Sequence, residues 1–224
     1  MLAYVFWHRP LEGTAADAYE RAQLAFHRSL ARERPVGMRC SASFKLDEAP
    51  WAAHRADAGA LDPDALDSEA LDPGQPGYED WYLLDDFAAL GVLNEAAVGH
   101  GHRSTHDEAA RRFGGGAGGL YALVEGCRSD TGELATPLGE ANVAIWVARP
   151  AGAPRRELGE LLGDGMDPCH ASLWRRQLVL GPASEFCLMV KEGSVFDQPA
   201  GVATTRLPDG WTATVVKREV LWHG

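Results

Sequence analysis

YVFWHRP at Tyr4–Pro10 and AIWVARP at Ala144–Pro150 are the two stretches that decide the fold. Both are apolar runs that contain β-branched and aromatic residues, and both end in Arg-Pro. Proline lacks the N–H group that a β-ladder needs, so each run predicts a buried strand that stops at the proline. Each run is followed by a helical stretch and then by further strands. The sequence therefore predicts one β-α-β-β unit that is used twice.

The first half of the chain is predicted to have the order βαββαβ. Alternating apolar and polar residues predict its four strands, at Leu2–His8, Met38–Leu46, Tyr78–Leu84 and Leu120–Glu125. A helix follows the first strand, with Thr14 or Asp17 expected as its cap. Asp85-Asp86 is expected to cap a second helix, and Ser104 or Thr105 a short third one. The acidic segment 47–77 is predicted to be an insertion between two strands.

The second half repeats this order in abbreviated form. Its helix is predicted at Pro154–Leu162, and the second helix is reduced to an irregular stretch, Gly193–Asp209. Its strands are predicted at Asn142–Arg149, Ser172–Leu180, Glu185–Lys191 and Trp211–Trp222. The predicted fold class is thus α+β, with two ferredoxin-like units in tandem, at 1–128 and 129–224.

In this pattern the chain resembles the dimeric α+β barrel superfamily, in which two ferredoxin-like sheets meet face to face. The resemblance rests on the repeated Arg-Pro strand ends and on the strand Phe186–Met189 behind Trp174–Gln177. It implies an intramolecular barrel. Members of the superfamily include cofactor-free monooxygenases, lactone isomerases, polyketide cyclases and haem-binding chlorite dismutase-like proteins. Because the chain satisfies no catalytic motif of a named member, the resemblance does not choose among these activities.

Composition excludes several classes of function. A net charge of −11 argues against nucleic acid, because affinity for phosphates comes from clustered Lys and Arg. The apolar run Leu2–Trp7 is too short for a signal peptide or a membrane span, so no membrane partner is expected. The four cysteines have no CxxC spacing, which indicates reduced thiols and a cytoplasmic protein. Exposed sheet edges leave a homo-oligomer open.

A glycine-rich run resembles a nucleotide-binding motif but has the wrong structural context. The glycine run 114–119 matches GxGxxG, but a helix precedes it and a strand follows, the reverse of a dinucleotide site. It is instead predicted to be a flexible entry into the fourth strand.

His100, His102 and His106 have a spacing that could bind zinc or copper, but a solvated polar loop is preferred and no metal is predicted. His27 flanks the apolar face of the first helix and is interpreted as a packing or surface residue.

Strand parity predicts the ligand site. One face of each sheet must be apolar beneath its helices, and Val5, Trp7, Phe44, Trp81, Leu83, Val143, Ile145, Val147, Phe186 and Leu188 are assigned to it. The opposite face is then predicted to line a cavity between the sheets, because a closed core would not accept so many charges. The residues assigned to this face are Tyr4, Phe6, His8, Ser41, Ser43, Lys45, Asp80, Tyr82, Trp146, Arg175, Gln177, Glu185, Cys187 and Met189.

Within the predicted cavity, His8 is the candidate base and Asp80 its partner. Arg175 or Arg176 would hold an anionic group, and the remaining ligand-binding candidates are Tyr4, Lys45, Tyr82, Trp146, Gln177 and Glu185. The favoured function is a small-molecule-binding barrel protein that acts, without a cofactor, on a planar or carboxylate-bearing substrate.

Three alternatives stay open. The charged residues could instead form structural ion pairs such as Lys45 with Asp80. The protein could be a non-catalytic ligand-binding or stress protein. It could also bind haem through His170 or His8, by analogy with tandem-barrel haem proteins.

Overall fold

Eight antiparallel strands form a closed barrel. The computed structural model describes residues 1–46, 77–99, 101–126, 138–150, 152, 171–179, 184–191, 207 and 209–224. The strands are β1 Leu2–Pro10, β2 Met38–Leu46, β3 Gly77–Leu84, β4 Phe113–Gly126, β5 Val143–Ala148, β6 Ala171–Val179, β7 Phe186–Val190 and β8 Thr212–His223. Around the barrel they follow the order β1-β3-β2-β8-β5-β7-β6-β4. The predicted α+β barrel is confirmed.

The two halves of the chain contribute four adjacent strands each. In the first half the neighbours run β4-β1-β3-β2, and in the second half they run β8-β5-β7-β6, which is the same order. The halves join where β2 pairs with β8 and where β4 pairs with β6. Because both seams are hydrogen-bonded, the barrel has no exposed sheet edge.

Three helices lie in the described residues of the first half: α1 Ala16–Arg32, α2 Phe87–Val98 and α3 Arg103–Ala110. Asp86 caps α2 as predicted, since its side chain accepts a hydrogen bond from Ala89 N. The other two cap predictions are wrong: α1 begins after Ala15 and α3 after His102, and neither residue makes a side-chain cap bond. Most of the acidic segment 47–77, the predicted helix at Pro154–Leu162 and the stretch 193–206 lie outside the described residues.

The glycine run belongs to the interior of a strand, because β4 begins at Phe113 and contains it. The prediction of a flexible entry is therefore wrong. A Cβ atom built on Gly116 would collide with the carbonyl oxygen of Trp7, and one on Gly118 would lie 2.8 Å from Tyr4 Oη. The run is glycine-rich because β1 approaches β4 too closely for side chains.

The interior of the barrel is filled with aromatic side chains. One buried cluster takes residues from all eight strands, so it must occupy the space inside the barrel; its largest members are Trp7, Trp81, Trp146, Trp174 and Tyr121. Neighbouring rings are in contact, with centroids 5.2 Å apart for Trp7 and Trp146 and 5.4 Å apart for Trp81 and Trp174. The predicted cavity between the sheets is therefore replaced by a packed core.

One ion pair is buried in this core. Glu79 Oε1 accepts hydrogen bonds from Trp81 Nε1 at 2.6 Å and from Arg218 Nη1 at 2.8 Å. Glu79 Oε2 accepts a third, from Trp7 Nε1 at 2.9 Å. The Arg218 guanidinium also bonds the Ala141 carbonyl and lies over the ring of Phe44. A buried carboxylate is tolerated here because its charge is paired and its lone pairs are used.

The face assignment is therefore wrong in the first half and right for β5 and β7 in the second. It is wrong for Arg175 of β6, because Trp174 points into the barrel and Arg175 pairs with the outward-facing Phe186. Val5, Trp7, Phe44, Trp81 and Leu83 point into the barrel rather than towards the helices. Their neighbours turn outwards, and Tyr4 and Tyr82 pack with α1 and α2. In the second half, Trp146, Cys187 and Met189 point inwards, and Val143, Ile145, Val147, Phe186 and Leu188 form a separate outer cluster, as predicted. In the first half His8, Lys45 and Asp80 face outwards, where each finds a partner on α1.

No helix in the described part of the chain is long and apolar enough to cross a membrane. Cys187 is a free thiol, and burial raises the pKa of this thiol well above its ordinary value. Cys127 and Cys169 lie outside the described residues.

Candidate functional site

A pocket of about 660 Å³ lies between the outer face of the first-half sheet and the helices that cover it. The sheet contributes Tyr4, Phe6, Asp80, Tyr82 and Phe113, and α1 contributes Gln23 and Phe26. Helix α2 lines the pocket along much of its length, and α3 adds His106 and two alanines. The volume is in the range of sites that take drug-sized organic molecules, and the walls are mainly apolar.

Asp80 is the polar centre of this pocket. Its Oδ2 atom lies 3.1 Å from His8 Nε2 and 3.2 Å from His27 Nε2, and it accepts a hydrogen bond from the Tyr82 hydroxyl at 3.3 Å. Within the described part of the chain, its Oδ1 atom has no hydrogen-bond partner. Asp80 is only 1% exposed and yet belongs to the pocket wall. One carboxylate oxygen is thus held by the protein, and the other is a buried acceptor without a partner in the described residues.

The imidazoles of His8 and His27 are also held at Nδ1, the nitrogen that does not face Asp80. His8 Nδ1 lies 2.6 Å from the Tyr19 hydroxyl, and its ring stacks on that of Tyr78 with centroids 5.7 Å apart. His27 Nδ1 lies 2.9 Å from Ser41 Oγ, and its ring stacks on that of Tyr82 with an interplanar angle of 9°. Since both histidines are buried and neither lines the pocket, they act on Asp80 rather than on a ligand.

The electrostatics favour an ionised carboxylate at Asp80. Burial by itself would raise the pKa of Asp80, but the positive charges and hydrogen bonds of His27 and His8 outweigh it and hold the pKa well below its ordinary value. Burial and the nearby Asp80 charge raise the pKa of the Tyr82 hydroxyl well above its ordinary value, and they also raise the pKa of Tyr4. At neutral pH the pocket therefore presents one carboxylate and two neutral phenols.

One wall of the pocket is a row of nearly parallel rings. Tyr4 lies between Phe6 and Tyr82, with centroid distances of 6.3 and 6.0 Å and interplanar angles of 19° and 27°. Phe113 continues the row next to Phe6, at 5.6 Å and 26°. A wall of aromatic rings favours an apolar, aromatic ligand.

Four of the sequence-predicted site residues are brought together here: His8, Asp80, Tyr4 and Tyr82. They meet on the helix-facing side of the sheet and not between two sheets. Lys45 is not part of the pocket, because its ammonium group lies 2.9 Å from Glu20 Oε1 on α1. The alternative ion pair of Lys45 with Asp80 is therefore replaced by one with Glu20.

The other predicted residues lie elsewhere. Trp146 is packed inside the barrel, and Glu185 forms an ion pair with Arg149 at 2.7 Å. Arg175, Arg176 and Gln177 belong to β6 in the second half, and none of them lines the pocket with Asp80. The predicted anion anchor and the candidate base are thus not parts of one site.

Sequence reasoning missed four residues of the site: Tyr19, Gln23 and His27 on α1, and His106 on α3. The signal for His27 was available, since it lies four residues after Gln23 and one turn before Leu30 in a buried helical stripe. His102 is a structural residue, because its ring nitrogens contact Ser29 Oγ and the Glu33 carbonyl. His100 lies outside the described residues. The described residues contain no group of three or more His, Cys, Asp or Glu side chains that could hold a metal ion.

The fold and the site define an α+β barrel protein with a helix-covered pocket around a buried carboxylate. No protein-family model matches the chain. No curated protein matches it either. Among solved structures the chain is similar to one described as an anthrone oxidase-like protein, with a TM-score of 0.49 and 9% sequence identity over 100% of this chain and 92% of that chain. A similarity of this size gives the chain no family and no activity.

Proposed function

We propose that this protein binds a planar, neutral organic molecule in the helix-covered pocket and acts on it by proton transfer, without a bound cofactor. The observation that carries the proposal is the asymmetry of Asp80. One oxygen is held by His8, His27 and Tyr82, and the other is unpartnered on the pocket wall. An arrangement of this kind supports recognition of an acidic O–H group, such as a phenol or an enol.

The charge of the pocket favours a neutral ligand over a carboxylate. The imidazoles of His8 and His27 face Asp80 Oδ2 and do not line the pocket. A ligand anion would therefore meet the Oδ1 side of the carboxylate at short range in a partly dehydrated site, where like charges repel strongly. The lining residues of the described chain include no lysine or arginine that could compensate for it. Of the two substrate types expected from the sequence, the planar one is therefore retained.

In this proposal His8 is a positioning residue rather than the base. Its imidazole is fully buried behind Asp80, with one nitrogen next to Tyr19 and the other next to the carboxylate. The same contacts argue against haem ligation by His8, since a nitrogen would have to leave one of them. His170, the other haem candidate, lies outside the described residues.

The strand order supports a finer view of the fold. Each half of the barrel has the order of a ferredoxin-like sheet, in which the fourth strand lies beside the first and the third beside the second. We infer that units 1–128 and 129–224 are two such modules and that the chain is a single-chain member of the dimeric α+β barrel superfamily.

One observation favours a second candidate function, a non-catalytic ligand-binding protein. The pKa of Asp80 is held low, so its carboxylate accepts a hydrogen bond well but removes a proton poorly. Without a better base in the pocket, the same geometry would bind a phenol tightly and leave it unchanged. The two candidates agree on the ligand and differ only in its conversion.

Fluorescence titration with three probes tests the proposed ligand class. Hydroxypyrene, pyrene and pyrene carboxylate share one planar framework and differ only in carrying a donor, no polar group or an anion. Wild-type protein is expected to bind hydroxypyrene about ten- to a hundredfold more tightly than pyrene, which is the effect of a hydrogen bond to a charged group. Pyrene carboxylate is expected to bind more weakly than pyrene.

The Asp80→Asn variant should lose most of the preference for hydroxypyrene and keep its affinity for pyrene. Asp85→Asn is the matched control, because Asp85 is exposed and pairs with Arg39 outside the pocket. Equal affinity of the wild-type protein for hydroxypyrene and pyrene would refute the proposal, as would an Asp80→Asn variant with an unchanged preference.

A further inference from the structure

We propose that His106, with Asp107 beside it, is the proton-transfer group of the pocket; this inference rests on the proposed function. Asp80 would then anchor the ligand, and His106 would exchange a proton with it. The two groups reach the pocket from different walls, since Asp80 belongs to β3 of the sheet and His106 to α3 of the helical layer. A ligand anchored at one wall can therefore be attacked from the other.

His106 has the surroundings of a general base. Its side chain lines the pocket and is 33% exposed, and its ring meets the edge of the Phe26 ring with centroids 5.5 Å apart. Its Nδ1 atom lies 3.6 Å from Asp107 Oδ1. This distance is too long for a hydrogen bond, and Nδ1 has no hydrogen-bond partner in the described residues. The negative charge of the carboxylate nevertheless favours the tautomer with the proton on Nδ1, in which Nε2 keeps a lone pair. The same Asp107 carboxylate also faces Arg103 Nε at 3.6 Å.

The backbone that carries His106 is held firmly. The His106 amide donates to the His102 carbonyl in the first turn of α3. That turn is tied to α1, because Ser29 Oγ lies 2.8 Å from His102 Nδ1 and 3.0 Å from Thr105 Oγ1. The imidazole therefore has a fixed place relative to Phe26 on α1, as a base that must meet a reacting atom requires.

The other titratable residues of the pocket wall are less suited to this role. Asp80 is ionised and held as a poor proton acceptor, and the Tyr4 and Tyr82 hydroxyls are hard to ionise. His8 and His27 are buried behind Asp80. Among the lining residues that the structure describes, His106 is the one imidazole that a ligand can touch. Imidazole is also the commonest general base in enzymes.

The proposed step is a proton transfer from carbon. In an enolisable aromatic ketone that also carries a phenolic O–H group, the O–H group donates to Asp80, a C–H bond next to the carbonyl breaks and its proton moves to His106 Nε2. The electron pair of that bond forms the C=C bond of the enolate, and the carbonyl oxygen, at the end of the molecule away from Asp80, takes the negative charge. The step reverses when the imidazolium returns a proton to carbon. In deuterated water the returned proton is a deuteron, so exchange reports the step without a co-reactant.

Deuterium exchange into 6-hydroxy-2-tetralone, followed by proton NMR, measures this activity. Its phenolic O–H group can donate to Asp80, and its carbonyl group lies at the other end of the molecule. Wild-type protein is expected to accelerate exchange next to the carbonyl. The His106→Gln variant is expected to lose at least a hundredfold of the enzyme-dependent rate, in line with the usual contribution of a general base. Asp107→Asn should lose about tenfold. Arg111→Gln is the control on the same helical segment, since Arg111 is exposed and pairs with Glu108.

Two further readouts separate a chemical role from a structural one. The preference of His106→Gln for hydroxypyrene over pyrene is expected to match that of the wild type, because the anchor Asp80 is untouched, and its circular dichroism spectrum is expected to show the same fold. Exchange that persists in His106→Gln would overturn the inference, as would a wild-type protein that binds hydroxypyrene selectively and exchanges nothing. A wild-type protein with no preference for hydroxypyrene would instead refute the proposed function.

Discussion

Replacing Glu79 by methionine should destabilise the barrel strongly, because the change leaves a buried cation without its partner. The side chains of Glu79 and Arg218 are both fully buried, and the carboxylate also accepts hydrogen bonds from the Trp7 and Trp81 indoles. Methionine has a similar length and fills the same space, so the change removes charge without opening a large cavity. The expected loss is therefore electrostatic.

The magnitude follows from three groups that lose a partner. Removing one member of a buried ion pair costs about 3–5 kcal/mol of unfolding free energy. Two indole N–H groups left unpaired add about 1 kcal/mol each or more. The sum for Glu79→Met is about 5–7 kcal/mol, which is comparable to the whole stability of many domains. Arg218→Met should cost less, about 3 kcal/mol, because Glu79 keeps its two indole bonds.

The double variant Glu79→Met/Arg218→Met decides the interpretation. With both charges removed, it is expected to lie within about 2 kcal/mol of the wild type and to be more stable than Glu79→Met alone. Equilibrium urea unfolding, followed by far-UV circular dichroism and by tryptophan fluorescence, gives the free energies. Additive losses in the double variant, or a cost below about 1 kcal/mol for Glu79→Met, would show that the two residues are not a buried pair.

Two further predictions concern the pocket. The pKa of Asp80 is lower in the folded protein than its ordinary value. The ionised Asp80 therefore stabilises the folded protein above about pH 4, and this stabilisation is lost progressively as the pH falls below 4. Between pH 5 and pH 3 the unfolding temperature of the wild type should thus fall more steeply than that of Asp80→Asn, and parallel curves would contradict this assignment. Gly118→Val should push Tyr4 into the pocket, since even a Cβ atom at position 118 would lie 2.8 Å from the Tyr4 hydroxyl. The substitution should lower the free energy of unfolding by about 1–3 kcal/mol. Because Tyr4 lines the pocket, hydroxypyrene binding should weaken at least tenfold. Gly91→Ala, whose added methyl meets nothing within 4 Å, should cause no such loss of stability, and a similar loss in both variants would argue against a specific contact with Tyr4.

The strands could be predicted from the sequence because their signals are local. Arg-Pro ends, alternating side chains and the Asp86 cap act over a few residues, and β2 and β3 lie close to their predicted bounds. The faces of the first-half strands could not be predicted in the same way. In β1 both sides are aromatic, with Phe6 on one face and Trp7 on the other, so hydrophobic alternation does not say which face is inside.

The sheet residues of the site could be predicted from the sequence, and the helix residues could not. Asp80 and His8 lie on neighbouring parts of one sheet, and their proximity follows from strand pairing and parity. His27 and His106 come from helices, and their distance to the sheet depends on how α1 and α3 pack on it. A sequence pattern shows that a helical face is buried, but it does not show which strand residue that face meets.

Neighbouring acids on β3 explain why the site faces the helices. Glu79 and Asp80 must point to opposite sides of the sheet, because successive residues of a strand alternate. Glu79 meets Arg218 from β8 inside the barrel, and Asp80 then necessarily meets His27 from α1 outside it. Exchanging the faces would place Asp80 in the aromatic core and leave Arg218 without its partner, at a cost of several kcal/mol. The ion pair inside the barrel therefore has no part in ligand binding, but it determines which carboxylate the pocket receives.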